Sequence, residues 1–99
     1  MKNHEIASGR DIQAFQEKHP EWQHEGDALK AEFVFSDFAE AMQFMQQVGE
    51  IAEELNHHPE WSNVYNRVFV TLTTHDAGNQ VTALDIRLAT NISQIKEKY

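Results

Sequence analysis

The sequence contains no cysteine, which excludes disulfides, thiolate nucleophiles and every zinc or iron site that depends on sulfur. Basic residues are scarce: 8 Lys and Arg stand against 16 Asp and Glu, for a formal net charge of −8. A surface of that sign repels phosphate backbones, so no direct nucleic-acid partner is expected. No apolar run approaches the roughly 18 residues of a membrane span, and the first ten residues, MKNHEIASGR, lack the apolar core of a signal peptide. These absences point to a cytoplasmic protein that does not enter a membrane. What remains is a 99-residue chain with 40% hydrophobic residues and six Phe, two Trp and two Tyr. That suffices for one core and one domain, but a domain this small buries only a modest share of its surface, so self-association is expected to help it.

Residues 1–7 are polar and aperiodic, and read as a flexible N-terminal tail ahead of a single domain spanning 8–99. Ser8 has the chemistry of an N-cap, followed by Ile12, Ala14 and Phe15 on one side of a short helix that Pro20 must end. From Trp22 to Phe35, Leu29, Ala31, Phe33 and Phe35 alternate with other residues around a Gly26-Asp27 turn, which predicts a hairpin. Ser36 or Asp37 caps a long helix whose stripe is Phe38, Ala41, Met42, Met45, Val48, Ala52 and Leu55. Pro59 disfavours helical geometry at His58, so this helix stops near Asn56. Trp61 to Thr74 is β-like, with Val68, Val70 and Leu72 on one face. A loop at 76–79 leads to a last helix capped by Thr82 with Asp85 three residues on, carrying Leu84, Leu88, Ile92, Ile95 and Tyr99. Without βαβ alternation, this order predicts an α+β fold: a single antiparallel sheet of about four strands with helices packed on one face.

The tetrapeptide HPEW occurs twice, at 19–22 and 58–61. A repeat protein needs three or more units, and the flanks differ, so the echo reads as coincidence or as two similar helix stops.

Three of the six histidines suggest chemistry: His57 and His58 at the end of the long helix, and His75 at the end of the β-like stretch. Glu53 and Glu54 precede His57 and His58 by four residues each, a spacing that sets a carboxylate beside each imidazole on a helix. Imidazoles ordinarily titrate near neutrality and suit proton donation and removal within one turnover. Histidine at a helix C-terminus is equally a stabilising cap. A zinc site of His, His and carboxylate is the third reading, but adjacent helical residues point about 100° apart and no HExxH spacing occurs. Asp85 has a structural role as the third residue of a capping box, Trp61 and Pro59 as a plug beside the helix stop, and Met42 and Met45 as core stripe. His4, His19 and His24 have no partner pattern.

The run from Glu53 to Asn66 through His57-His58-Pro59-Glu60-Trp61, the run Val68 to Asp76 ending Thr74-His75-Asp76, and the segment Asp85 to Ala89 resemble the pterin-4a-carbinolamine dehydratases. Trp22 and Phe33 to Phe38 also match, so the resemblance covers residues 20 to 96. It implies dehydration of 4a-hydroxytetrahydrobiopterin to the quinonoid dihydropterin in tetrahydrobiopterin recycling, with no metal or cofactor. By that resemblance His57 and His75 would be acid and base, and His58 and Glu53 would position the pterin or tune the histidines. Pro59 and Trp61 would shape the site wall, and Asp85 would sit behind or at the rim. Two departures stand out: Asn56 replaces an Asp common in the family, and the segment from His75 to Asp85 is about one residue longer. The resemblance also implies a homodimer or homotetramer, and leaves open a noncatalytic role as a dimerisation cofactor for a protein partner.

Overall fold

The structure, a computed structural model, describes residues 5–99. Helix α1 (Gly9–Lys18) begins as the sequence predicts: the Ser8 hydroxyl accepts from the Asp11 N–H at 3.0 Å, and Asp11 accepts from the Ser8 N–H at 3.1 Å. It buries Ile12 and Phe15, leaves Ala14 exposed, and ends before Pro20. Strands β1 (Gln23–Glu25) and β2 (Ala28–Val34) form the predicted hairpin about Gly26, whose φ of 58° suits the first position of a two-residue turn. Asp37 caps α2 (Phe38–Leu55) by accepting from the Glu40 N–H at 2.8 Å.

The buried stripe of α2 is Ala41, Phe44, Val48 and Ala52. This corrects the predicted stripe, because Phe38 and Met42 are 48% and 44% exposed whereas Phe44 is fully buried. Phe44 stacks between Phe33 and Phe35, with ring centroids 5.4 and 4.8 Å away, and these contacts decide which arc of the helix faces inward.

The β-like stretch is itself a hairpin, β3 (Glu60–Val64) and β4 (Arg67–Leu72), turning at Tyr65-Asn66. A single turn of 3₁₀ helix at His75–Ala77 occupies part of the predicted loop, and α3 (Ala83–Lys96) follows. The sheet is antiparallel throughout, in the order β1-β2-β4-β3. Leu29, Ala31, Phe33, Val68, Val70 and Leu72 form its buried face, joined in one core with α2 and α3 residues, while Lys30, Glu32 and Phe69 lie on the open face.

Residues 5–7 are tied down rather than free. The Ala7 N–H bonds the Val81 carbonyl at 3.0 Å and the Ala83 N–H bonds that of Glu5 at 2.9 Å, which holds Ile6 opposite Thr82. The predicted tail is corrected over these three residues, since their backbone groups find partners beside the start of α3. Its remainder, residues 1–4, lies outside the described residues.

The HPEW echo also has a structural counterpart. Each copy joins the end of a helix to the first strand of a hairpin, and each hairpin turns four residues after the tryptophan, at Gly26 (φ 58°) and Tyr65 (φ 52°). The register of β1 with β2 maps onto that of β3 with β4, and the strand order is unchanged when the two hairpins are exchanged. The two copies differ in use. Trp22 is fully buried and donates its indole N–H to the Ser93 hydroxyl at 2.8 Å, and Ser93 in turn bonds Glu21. Trp61 is only partly buried, and Glu60 turns toward His75.

Candidate active site

Three chain ends meet at one end of the sheet: the C-terminus of α2, the exit of β4 and the N-terminus of α3. Asn56 adopts a left-handed conformation (φ 51°, ψ 43°), which asparagine tolerates better than most residues, and its N–H caps α2. The His57 N–H returns to the Ala52 carbonyl at 3.0 Å. Because the helix breaks at Asn56, His57 and His58 leave it in different directions.

The pairing predicted from helical spacing is thereby changed. Glu53 meets His58, Oε1 to Nε2 at 2.7 Å, on the surface. His57 instead turns inward, where its Nε2 lies 2.5 Å from Asp85 Oδ1. Among the described residues, Glu54 makes no ion pair with either histidine. The His57 side chain is 11% exposed and that of Asp85 is completely buried, so Asp85 sits beneath the histidine and not at the rim. A buried carboxylate must be hydrogen-bonded to be tolerated. Asp85 is: its Oδ2 accepts from the Thr74 hydroxyl at 2.8 Å and from the Thr82 N–H at 2.9 Å. The Thr82-Asp85 capping relation read from the sequence therefore also serves the histidine.

His75 opens the 3₁₀ turn. Its Nδ1 lies 2.6 Å from Asn79 Oδ1 and its Nε2 lies 3.4 Å from Glu60 Oε1, with 70% of the side chain exposed. Gly78 and Asn79, at φ 75° and 60°, turn the chain back so that Thr74 and Gln80 pair.

A cavity of about 350 Å³ is lined by Asn56, His57, His58, Thr73, Thr74, His75 and Asp76. Its size lies in the range of small-molecule pockets. Grooves of about 430 Å³ on the open sheet face and about 560 Å³ beside His19 are larger, but the first holds no histidine and the second holds one, whereas the smaller cavity gathers three. Glu53, Pro59, Trp61 and Asp85 are not in its lining. Glu53 reaches the site through His58, Asp85 through His57, and Trp61 packs on the core beside it. Among the described residues no group of three or more His, Cys, Asp or Glu is placed to hold a metal ion.

Sequence reasoning did not single out Thr74, Asn79 or Glu60 as partners of the histidines. Asn79 had a faint signal, four residues after His75 beside a glycine. Thr74 had none, because its partner Asp85 is reached only through the packing of α3 against the sheet. No helix among the described residues is long and apolar enough to cross a membrane.

Comparison with known proteins gives a consistent result. The family pattern described as pterin 4 alpha carbinolamine dehydratase matches residues 5–95. A protein of Opitutus terrae, named provisionally as a pterin-4-alpha-carbinolamine dehydratase, is 49% identical over 90 residues, covering 91% of this chain and 93% of its own. A similarly named protein of Prochlorococcus marinus (strain MIT 9515) is 41% identical over 98 residues, covering 99% and 100%. The crystal structure of a protein from Brucella melitensis, described as a transcriptional coactivator/pterin dehydratase, superposes with a TM-score of 0.85 at 40% identity, over 92% of this chain and 98% of that one.

Proposed function

The chain belongs to the pterin 4 alpha carbinolamine dehydratase family, and we propose that it dehydrates 4a-hydroxytetrahydrobiopterin to the quinonoid dihydropterin by histidine acid–base catalysis, in tetrahydrobiopterin recycling. In this reaction the C4a–O bond breaks and the departing hydroxyl takes a proton, leaving as water. The N5–H bond gives up its proton and its electron pair forms the N5=C4a double bond. One acid and one base suffice, and neither metal nor redox cofactor is needed.

The observation that carries this reading is the buried pairing of His57 with Asp85 at the wall of a cavity that also presents His75. A carboxylate beneath an imidazole orients the ring and stabilises the imidazolium formed on proton uptake. His75, with one ring nitrogen on Asn79 and the other near Glu60, supplies the second proton-transfer group. His58, paired with Glu53 at the rim, is assigned to holding the pterin, while Pro59 and Trp61, which lie outside the cavity lining, are assigned to supporting the histidine segment from behind rather than to shaping the wall.

The test is the decay of freshly generated 4a-hydroxytetrahydropterin followed by ultraviolet absorbance, with and without protein. Acceleration is expected, with losses of roughly a hundredfold or more in His57→Ala and in His75→Ala. Glu53→Gln should cost less than about threefold, because the pair it breaks is solvent-exposed. Parent-like rates in both histidine variants would overturn the reading.

The description of the Brucella protein as a coactivator motivates a second reading, a noncatalytic binding role on the same fold. It predicts partner binding that survives removal of the histidines. The exposed Phe38 and Met42 on α2 support self-association as a homodimer or homotetramer, and a cytoplasmic location suits the proposed pathway.

A further inference from the structure

Thr74 is 3% exposed and stands between the end of β4 and His75. Its Oγ1 lies 2.8 Å from Asp85 Oδ2 and 2.7 Å from the Thr82 hydroxyl, which is fully buried. A hydroxyl has one proton to donate and an ionised carboxylate has none. Distance and that count together set the directions. The Thr82 hydroxyl lies 3.5 Å from Asp85 Oδ2, too far to compete with the Thr74 hydroxyl at 2.8 Å. Thr74 therefore donates to Asp85, the Thr82 hydroxyl donates to Thr74, and the Thr82 N–H donates to Asp85 Oδ2 as well. With Oδ2 occupied, Oδ1 is left to accept from the ring nitrogen beside it, His57 Nε2.

We propose that Thr74 is a positioning residue: its hydroxyl, backed by that of Thr82, locks Asp85 so that His57 is held as its Nε2–H tautomer, leaving Nδ1 as the nitrogen that exchanges a proton with substrate. The kinetic part rests on the dehydratase reading, whereas the tautomer part does not. Thr74 also serves the second histidine, because its own N–H bonds the Gln80 carbonyl at 3.0 Å and closes the loop that begins at His75. Both imidazoles are thus referenced to one buried residue.

Long-range ¹H–¹⁵N NMR of the imidazoles, with kcat and KM, would be measured for the parent protein, Thr74→Val, Thr74→Ser and Thr82→Val. Valine keeps the shape of threonine and removes the hydroxyl; serine keeps the hydroxyl. The parent should show His57 protonated at Nε2. Thr74→Val should show mixed tautomers at His57 and a kcat about tenfold lower with KM unchanged, the scale of one lost hydrogen bond to a charged group. Thr74→Ser should restore both, and Thr82→Val, which keeps the backbone donor, should fall between. A His57 protonated at Nδ1 in the parent overturns the proposal. So does a Thr74→Val protein that melts lower but keeps the parent tautomer and kcat, since that is the signature of packing alone. If Thr74→Val does not fold, the parent tautomer and Thr82→Val carry the same decision. If the parent protein has no dehydratase activity, the dehydratase reading fails and the tautomers alone decide this one.

Discussion

His57 and Asp85 are 28 residues apart in sequence, and their side chains meet at 2.5 Å with the carboxylate wholly removed from solvent. No other histidine among the described residues has a fully buried carboxylate partner; those of His19, His58 and His75 are exposed or partly so. The burial of this one pair sets the expected consequence of altering it.

Asp85→Asn keeps the shape of the side chain and changes its proton inventory. The Thr74 hydroxyl and Thr82 N–H both require an acceptor at the Oδ2 position. The amide nitrogen would therefore face His57 and donate to Nε2, which drives the ring to the opposite tautomer. Turnover should fall by roughly a hundredfold or more, with a retained circular dichroism spectrum. Adding this change to His57→Ala should cause little additional loss, because both act on one unit. Additive losses in the double variant would show that Asp85 acts elsewhere.

Asn56 holds its left-handed conformation at the point where α2 releases the two histidines. Asn56→Gly removes the steric cost of that conformation and should leave the melting temperature unchanged or raised. Asn56→Ala should destabilise by about 1 kcal/mol. Aspartate also tolerates the geometry, so Asn56→Asp should melt close to the parent. Scanning calorimetry of the three variants checks the order, and an alanine variant as stable as glycine would contradict it.

Asp11 is held below its ordinary pKa of 3.8, first by the Ser8 N–H and then by the Ser8 hydroxyl. A carboxylate whose pKa is lowered by folding stabilises the fold fully above its unfolded value, and loses that contribution as pH falls through the lower folded value. Urea midpoints of the parent and of Asp11→Asn should therefore differ at about pH 6 and converge below about pH 4. A gap that persists unchanged into acid would mean that the charge of Asp11 is not what stabilises the cap.

Much of the fold is visible in local pattern. Ser8 and Asp37 act at the helix starts where a polar side chain precedes an apolar period, Pro20 follows the end of α1 for want of an N–H, and α2 stops at Asn56, where the sequence placed its end ahead of Pro59. Leu29, Ala31 and Phe33 face inward because a strand alternates. The position of the stripe on α2 was less legible. Spacing of three and four placed Ala41, Val48 and Ala52 on the buried side correctly but admitted Phe38 and Met42 in place of Phe44, whose inward position is marked by its contacts with the Phe33 and Phe35 rings. The tie between residues 5–7 and the start of α3 is likewise a long-range backbone pairing with no local signal.

By itself, then, the sequence determined an α+β domain without sulfur chemistry and a resemblance to pterin dehydratases carried by the histidines, because caps, prolines, periodicity and motif spacing act within a few residues of one another. Which carboxylate serves which histidine was decided by tertiary structure alone. One left-handed residue at Asn56 moves Glu53 from His57 to His58, and the packing of α3 against the sheet brings Asp85, with Thr74 and Thr82, to the nitrogen left unpaired. A hydrogen bond acts across roughly 3 Å, and that distance is set by the fold and not by separation along the chain.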